Sequence, residues 1–150
     1  MIQLNIIALT HLTKLLIPYM LEKSYGKILN LGSVGSFTPG PLNAVYCATK
    51  AYVLSFSEAI SEELKGTGVT VTTLCPGVTE TNFARKADIE NTKLFKNCMK
   101  ANKVAKIGYE ALMKEKSYIV PGKLNKLTVF ALRFLPRKNI ARMVKNMMEK

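Results

Sequence analysis

Two short runs constrain this chain more than anything else in it. Lys27-Ile-Leu-Asn-Leu31 follows a glycine and runs into Gly32, while the β-branched Val69-Thr-Val-Thr-Thr-Leu-Cys75 stops at Pro76-Gly77. Both read as short buried strands. Between them, Ala48, Ala51, Tyr52, Leu54, Phe56, Ala59, Ile60 and Leu64 recur at helical spacing until Gly66-Thr-Gly68 ends the run. A long helix joining two strands is the connection that a parallel pair requires.

The remaining segments extend that pattern. Residues 1–21 place Leu4, Ile7, Ala8, Leu12, Leu15, Leu16 and Tyr19 on one broad apolar helical face, with Pro18 near its end. Residues 35–43 hold two prolines and two glycines and read as a loop, and 79–97 as a polar loop with short helical pieces that could form a lid. Residues 103–116 suggest a surface helix with Val104, Ile107, Leu112 and Met113 inward, followed by a third short strand at Tyr118-Ile-Val120. Two helical pieces divided at Pro136 complete the chain. The predicted class is α/β: a parallel sheet of about three strands, flanking helices and a C-terminal helical segment in one domain.

The chain has 150 residues, 48% of them hydrophobic, enough for one core. Its three cysteines, Cys47, Cys75 and Cys98, form no C-x-x-C pair and have only His11 beside them, so a reducing, cytoplasmic setting and no metal are expected. Asn5, Thr10, His11, Thr13 and Lys14 interrupt the N-terminal apolar run, which argues against a signal peptide or membrane span. The net charge of +12 is lopsided, with +1 over residues 1–75 and +11 over 76–150. It concentrates in 123–150, where cations alternate with Leu124, Leu127, Phe130 and Phe134. A terminal helix covering the sheet or a partner subunit is the expectation there, with peripheral contact to an anionic membrane as the alternative. Without a stacking platform or binding motif, nucleic acid is not expected as a partner.

The chemistry gathers between residues 30 and 50. Tyr46 and Lys50 are four residues apart, so on a helix they share a face, and Ser33 lies just past the first strand. Functional groups of parallel sheets lie beyond the carboxyl ends of the strands, which brings Pro76, Gly77, Thr79 and Thr81 to the same crevice. A free phenol has a pKa of about 10, so use as a base near pH 7 requires roughly 4 kcal/mol of preferential phenolate stabilisation. A lysine one turn away and a bound cationic ring could supply it, while a serine hydroxyl orients a substrate oxygen. The expected reaction is proton transfer at a carbonyl or alcohol oxygen.

At these residues the sequence resembles the short-chain dehydrogenase/reductase family. Tyr-Cys-Ala-Thr-Lys matches the family's Y-x-x-x-K, Asn-Leu-Gly-Ser matches its strand-end serine segment, and Pro76-Gly-Val-Thr-Glu-Thr81 matches P-G-x-x-x-T. The resemblance implies Tyr46 as general acid/base, Lys50 as the cation that lowers its pKa and holds the nicotinamide ribose, and Ser33 as the substrate-orienting group. It further implies Asn5 in a proton relay, and Pro76, Gly77, Val78, Thr79 and Thr81 against the nicotinamide of NAD or NADP. The implied fold is a partial doubly wound, Rossmann-like sheet. Residues 1–82 would be its catalytic core segment, 83–102 its substrate-loop region, 103–122 its last helix and strand, and 123–150 a basic helical tail.

The implied activity is NAD(P)-dependent interconversion of a small carbonyl compound and its alcohol, in a homo-oligomer. The family's T-G-x-x-x-G-x-G phosphate loop does not occur in these 150 residues. Weak cofactor binding by the chain alone is therefore expected, and an inactive relative serving as a membrane- or subunit-binding piece is the alternative.

Overall fold

A computed structural model describes residues 1–81 and 98–148. In chain order its strands are β1 (Gly26–Leu31), β2 (Val69–Leu74), β3 (Thr79–Glu80), β4 (Met99–Lys100) and β5 (Tyr118–Ile119). Its helices are α1 (Leu9–Glu22), α2 (Ala44–Glu63), α3 (Ala101–Met113), α4 (Lys123–Leu132) and α5 (Arg137–Met148). A π-helical turn, Gln3–Ala8, leads into α1.

The main sheet has the order β1-β2-β5 and is parallel throughout. β1 and β2 are in register from Gly26 against Val69 to Leu31 against Leu74. Because side chains alternate across a strand, Val69 and Val71 face α1 and α2, where Ile17, Met20, Ile28, Ile60 and Leu64 join them. Leu74 points the other way and packs against Gly108 of α3. Helices therefore cover both faces, as a doubly wound arrangement requires.

The turn from α2 into β2 depends on Gly66 (φ 80) and Gly68 (φ 83), both in the left-handed region. A side chain on Gly68 would strike the Ser24 carbonyl, which comes from the parallel turn between α1 and β1. The close pairing of the two strand entrances thus needs that glycine.

Three expectations change. Residues 79–80 form a strand rather than a helical piece: β3 pairs in parallel with β4, because the chain leaves β2 extended at Pro76-Gly77 and Met99 N–H bonds the Val78 carbonyl at 3.0 Å. The expected loop continues outside the described residues from 82 onward, as does most of the substrate-loop region. In α3, Gly108 and Ala111 are buried with Val104, whereas Met113 is exposed, because the helix approaches the sheet along its small residues.

The largest departure is α1. Only Thr13 of that helix is buried, and Leu4, Leu12, Leu15, Leu16 and Tyr19 are exposed. Periodicity reports that an apolar face exists and not what covers it. Here Leu4, Ala8, Leu12 and Leu16 form one wall of an open groove of ≈ 320 Å³, and Ile28 to Leu31 of β1 form the other. By length and composition Gln3–Glu22 would suffice to cross a membrane, with mean hydropathy 1.4 and 6% of the stretch buried. The polar residues that interrupt the run therefore do not by themselves exclude a span, contrary to the expectation drawn from them.

Candidate active site

Ser33 caps a short 3₁₀ turn, Val34–Phe37, at the carboxyl end of β1. Its hydroxyl accepts from Gly35 N–H at 3.0 Å, and its own N–H donates to Ser36 Oγ at 3.2 Å. This reciprocal cap satisfies donors that the turn would leave open. Ser36 in turn donates to the Lys50 carbonyl at 2.8 Å, so the strand end and the first turns of α2 are tied together.

That tie brings the predicted residues into one place. A methyl group at Gly35 would touch both the Ser33 hydroxyl (3.4 Å) and the Tyr46 ring (3.6 Å), and Tyr46 is hydrogen-bonded to the Ser33 side chain. Lys50 is buried, with its ammonium 5.9 Å from the Tyr46 ring centroid. Its Nζ donates to the Leu31 carbonyl at 2.7 Å. The N–H of Gly32 is turned toward β2, so the Leu31 carbonyl points to the outer edge of β1, and Lys50 partners a strand-edge acceptor there.

The electrostatics differ from the expectation that Lys50 lowers the phenol's pKa. Burial pushes Tyr46 above 10.0, the Ser33 hydrogen bond opposes that shift, and the nearby Cys47 and Cys75 add to it. Lys50 does not reverse the shift, because its ammonium faces the Leu31 carbonyl, and burial pushes its own pKa down. Tyr46 is therefore a protonated phenol at neutral pH. Beside the Ser33 hydroxyl it can donate a proton to a carbonyl oxygen.

Asn5 reaches the site indirectly. Its Nδ2 donates to Thr49 Oγ1 at 3.1 Å, and Thr49 Oγ1 donates to the Tyr46 carbonyl at 2.8 Å. Asn5 thus anchors the backbone of the Tyr46 turn, and the π-helical turn Gln3–Ala8 presents it there. Thr49, the middle of that chain, lies inside the Y-x-x-x-K string, where the motif draws notice only to its ends.

Pro76, Gly77 and Val78 leave β2 beside this cluster: Val34 N–H bonds the Pro76 carbonyl at 2.9 Å. Thr79 Oγ1 donates to the Gly77 carbonyl at 3.1 Å, and Thr81 Oγ1 lies 3.5 Å from the Thr79 carbonyl. Behind the turn sits Asn125 of α4, which donates to the Pro121 carbonyl at 2.8 Å. A Cβ at Gly77 would fall 2.5 Å from Asn125 Nδ2, so glycine is what lets Asn125 wedge between the ends of β2 and β5. Sequence reasoning missed Asn125, although a polar residue four positions after Pro121 at a helix start was a usable signal.

Leu42 was missed as well. It adopts φ 65 one helical turn before Tyr46, an unusual conformation for leucine. Leu42 and Val45 are both exposed on the stretch of chain that leads into Tyr46.

The thiols are structural. Cys47 and Cys75 are buried and unbridged, and burial raises both, Cys75 to about 11. Among the described residues no group of His, Cys, Asp or Glu could hold a metal ion.

A sequence profile of the short chain dehydrogenase family matches residues 1–92. The chain belongs to that family. It is 40% identical over 93 residues to an uncharacterized oxidoreductase of Staphylococcus epidermidis, covering 62% of this chain and 40% of that one. It is 38% identical over 85 residues to the very-long-chain 3-oxoacyl-CoA reductase of Mus musculus, covering 57% of this chain and 27% of that one. A short-chain dehydrogenase from Sphingobium yanoikuyae, solved in complex with NADPH, superposes with a TM-score of 0.74 at 27% identity, over 89% of this chain and 52% of the other. The chain thus spans less than half the length of these two sequence relatives, and its fold is the corresponding part of a Rossmann-like sheet.

Proposed function

We propose that the Ser33–Tyr46–Lys50 site carries NAD(P)-dependent reduction of a ketone or aldehyde to an alcohol, the reverse reaction using the same groups. The observation that carries this reading is the half-buried, protonated Tyr46 phenol hydrogen-bonded to Ser33 at the carboxyl end of β1. Ser33 and Tyr46 together bond the substrate oxygen, and Tyr46 delivers its proton there as negative charge develops. Lys50, one turn further along α2, keeps its ammonium 5.9 Å from the Tyr46 ring centroid.

The residues fit the nicotinamide end of a dinucleotide. Gly77 opens a turn whose far side Asn125 occupies, leaving the Pro76–Thr81 backbone and the hydroxyls of Thr79 and Thr81 to meet a flat carboxamide-bearing ring. When bound, the reduced nicotinamide supplies the hydride. Lys50 is placed to bond its ribose. The glycine-rich pyrophosphate loop does not occur in these 150 residues, so weak binding by them is the expected outcome.

The exposed Leu42 and Val45 on the chain leading into Tyr46 favour a substrate with a hydrocarbon arm next to the carbonyl, in keeping with the acyl reductase name of the mouse relative. Free thiols support a reducing, cytoplasmic setting. Assembly as a homo-oligomer belongs to the same reading.

Incubation of the chain with reduced cofactor carrying deuterium at both nicotinamide C4 positions and a panel of apolar ketones tests it. Deuterium at the carbinol carbon of the product, detected by mass spectrometry, is expected. Product formation with no label, or no product at millimolar cofactor, would contradict the assignment.

A further inference from the structure

α4 is apolar on two opposite sides. Val129 and Leu132 face inward, Val129 packing with Leu54, Cys75 and Val120 beside the active-site turn. Leu124, Leu127, Phe130 and Phe134 project outward along the helix and the turn beyond it, spaced at three, three and four residues so that they line one stripe. Phe134 is 73% exposed and Leu127 63%, and Phe130 and Phe134 meet edge to face at 5.4 Å. One side of α4 therefore packs beside the active-site turn, and its other apolar side is left over. A helix apolar on both sides needs a second apolar neighbour.

Charge decides which neighbour. Every charged residue from 123 to 148 is Lys or Arg, and Lys123 and Lys126 flank the stripe itself. α5 follows with Lys138, Arg142 and Lys145 on the face opposite its buried Ile140. A second copy of this chain docked symmetrically on the stripe would bring like charges together. An interfacial layer with apolar depth and negative headgroups matches both properties at once.

We propose that the outer face of α4, with the cations of α4 and α5 around it, docks the chain on an anionic lipid bilayer. Leu127, Phe130 and Phe134 enter the acyl boundary while Lys123 and Lys126 remain at the headgroups. The site turn at Gly77 rests on Asn125 of the same helix, which ties the docking face to the candidate active site.

The chain contains no tryptophan, so a Phe134→Trp variant carries a single reporter. Titration with phosphatidylcholine vesicles containing phosphatidylserine at low salt should shift its emission to the blue and sediment the chain. Pure phosphatidylcholine vesicles, or high salt, should do neither. Lys123→Gln with Lys126→Gln, both at exposed positions, should weaken partitioning about ten-fold or more.

A Tyr19→Trp reporter on α1 separates this face from the other apolar helix. Silence of Phe134→Trp with anionic vesicles at low salt would overturn the proposal. So would a shift confined to Tyr19→Trp, or a blue shift of Phe134→Trp that depends on protein concentration without lipid.

Discussion

α1 and α2 have nearly the same sequence signature and opposite fates. Both are amphipathic and flank β1, yet α2 buries Cys47, Thr49, Lys50, Val53, Leu54 and Ser57, whereas α1 buries Thr13 alone. The difference lies in polar pinning. α2 is held at the Lys50 carbonyl by Ser36, at Ser57 Oγ by Asn30 Nδ2 (2.9 Å), and at the Leu31 carbonyl by Lys50 itself. α1 is joined to α2 by the Thr10–Tyr52 hydroxyl pair at 2.7 Å, together with the Asn5–Thr49 bond from the turn before it. Apolar periodicity brings a helix to a sheet; buried hydrogen bonds fix which face it presents and hold a catalytic turn in place.

The sharpest way to break this comparison is one substitution made in both helices. Leu54→Ala removes a buried side chain from the cluster with Cys75, Val120 and Val129 and should cost about 2–5 kcal/mol in urea unfolding. Leu15→Ala should stay within about 0.5 kcal/mol, since Leu15 is exposed. Equal losses would mean that α1 is as well packed as α2.

Next in size is a pH effect at the pinned turn. Folding raises the Tyr46 pKa above the unfolded value near 10, so at alkaline pH the folded chain holds a proton that the unfolded chain has released. Stability gained from this group is present below that value and is lost as pH rises through the folded pKa. Lys50, whose folded pKa is depressed, works in the opposite sense below its unfolded value of 10.5. The wild type minus Tyr46→Phe difference isolates the tyrosine. Measured by urea unfolding, it should change only above about pH 10, with a slope of at most roughly 1.4 kcal/mol per pH unit. Its sign should be a decline, because partial burial disfavours the ionised phenol. A difference that is flat, or that rises with pH, would place the phenol in a solvated or cation-paired site.

The smallest effect concerns β2, where the buried hydroxyls of Thr70, Thr72 and Thr73 have no hydrogen-bond partner among the described residues. Thr72→Val keeps the shape and removes an unsatisfied group, so it should be neutral or stabilising by up to about 1 kcal/mol. A loss above that would reveal a partner for the hydroxyl.

Much of the site was legible because its parts are local. Ser33, Tyr46 and Lys50 sit at the end of a strand and on one helical face, and those two rules place them together before any tertiary contact is known. The three parallel strands were legible for the same reason. Thr49 and Asn125 were not, because their roles consist of bonds to groups brought from elsewhere: Asn5 in one case, the Gly77 turn in the other. The direction of the Tyr46 pKa escapes a reading by spacing, which reports that a lysine is near and not that its ammonium is turned to the Leu31 carbonyl. The outward face of α1 escapes it too, because a hydrophobic stripe carries no address.

The account rests on Tyr46 as the proton donor, and comparison of wild type with Tyr46→Phe tests that most directly. With a ketone and reduced cofactor under chemistry-limited conditions, the variant should fold with an unchanged circular dichroism spectrum. It should reduce the carbonyl about 10²- to 10⁴-fold more slowly. Reduction at the wild-type rate by the folded variant would contradict the account.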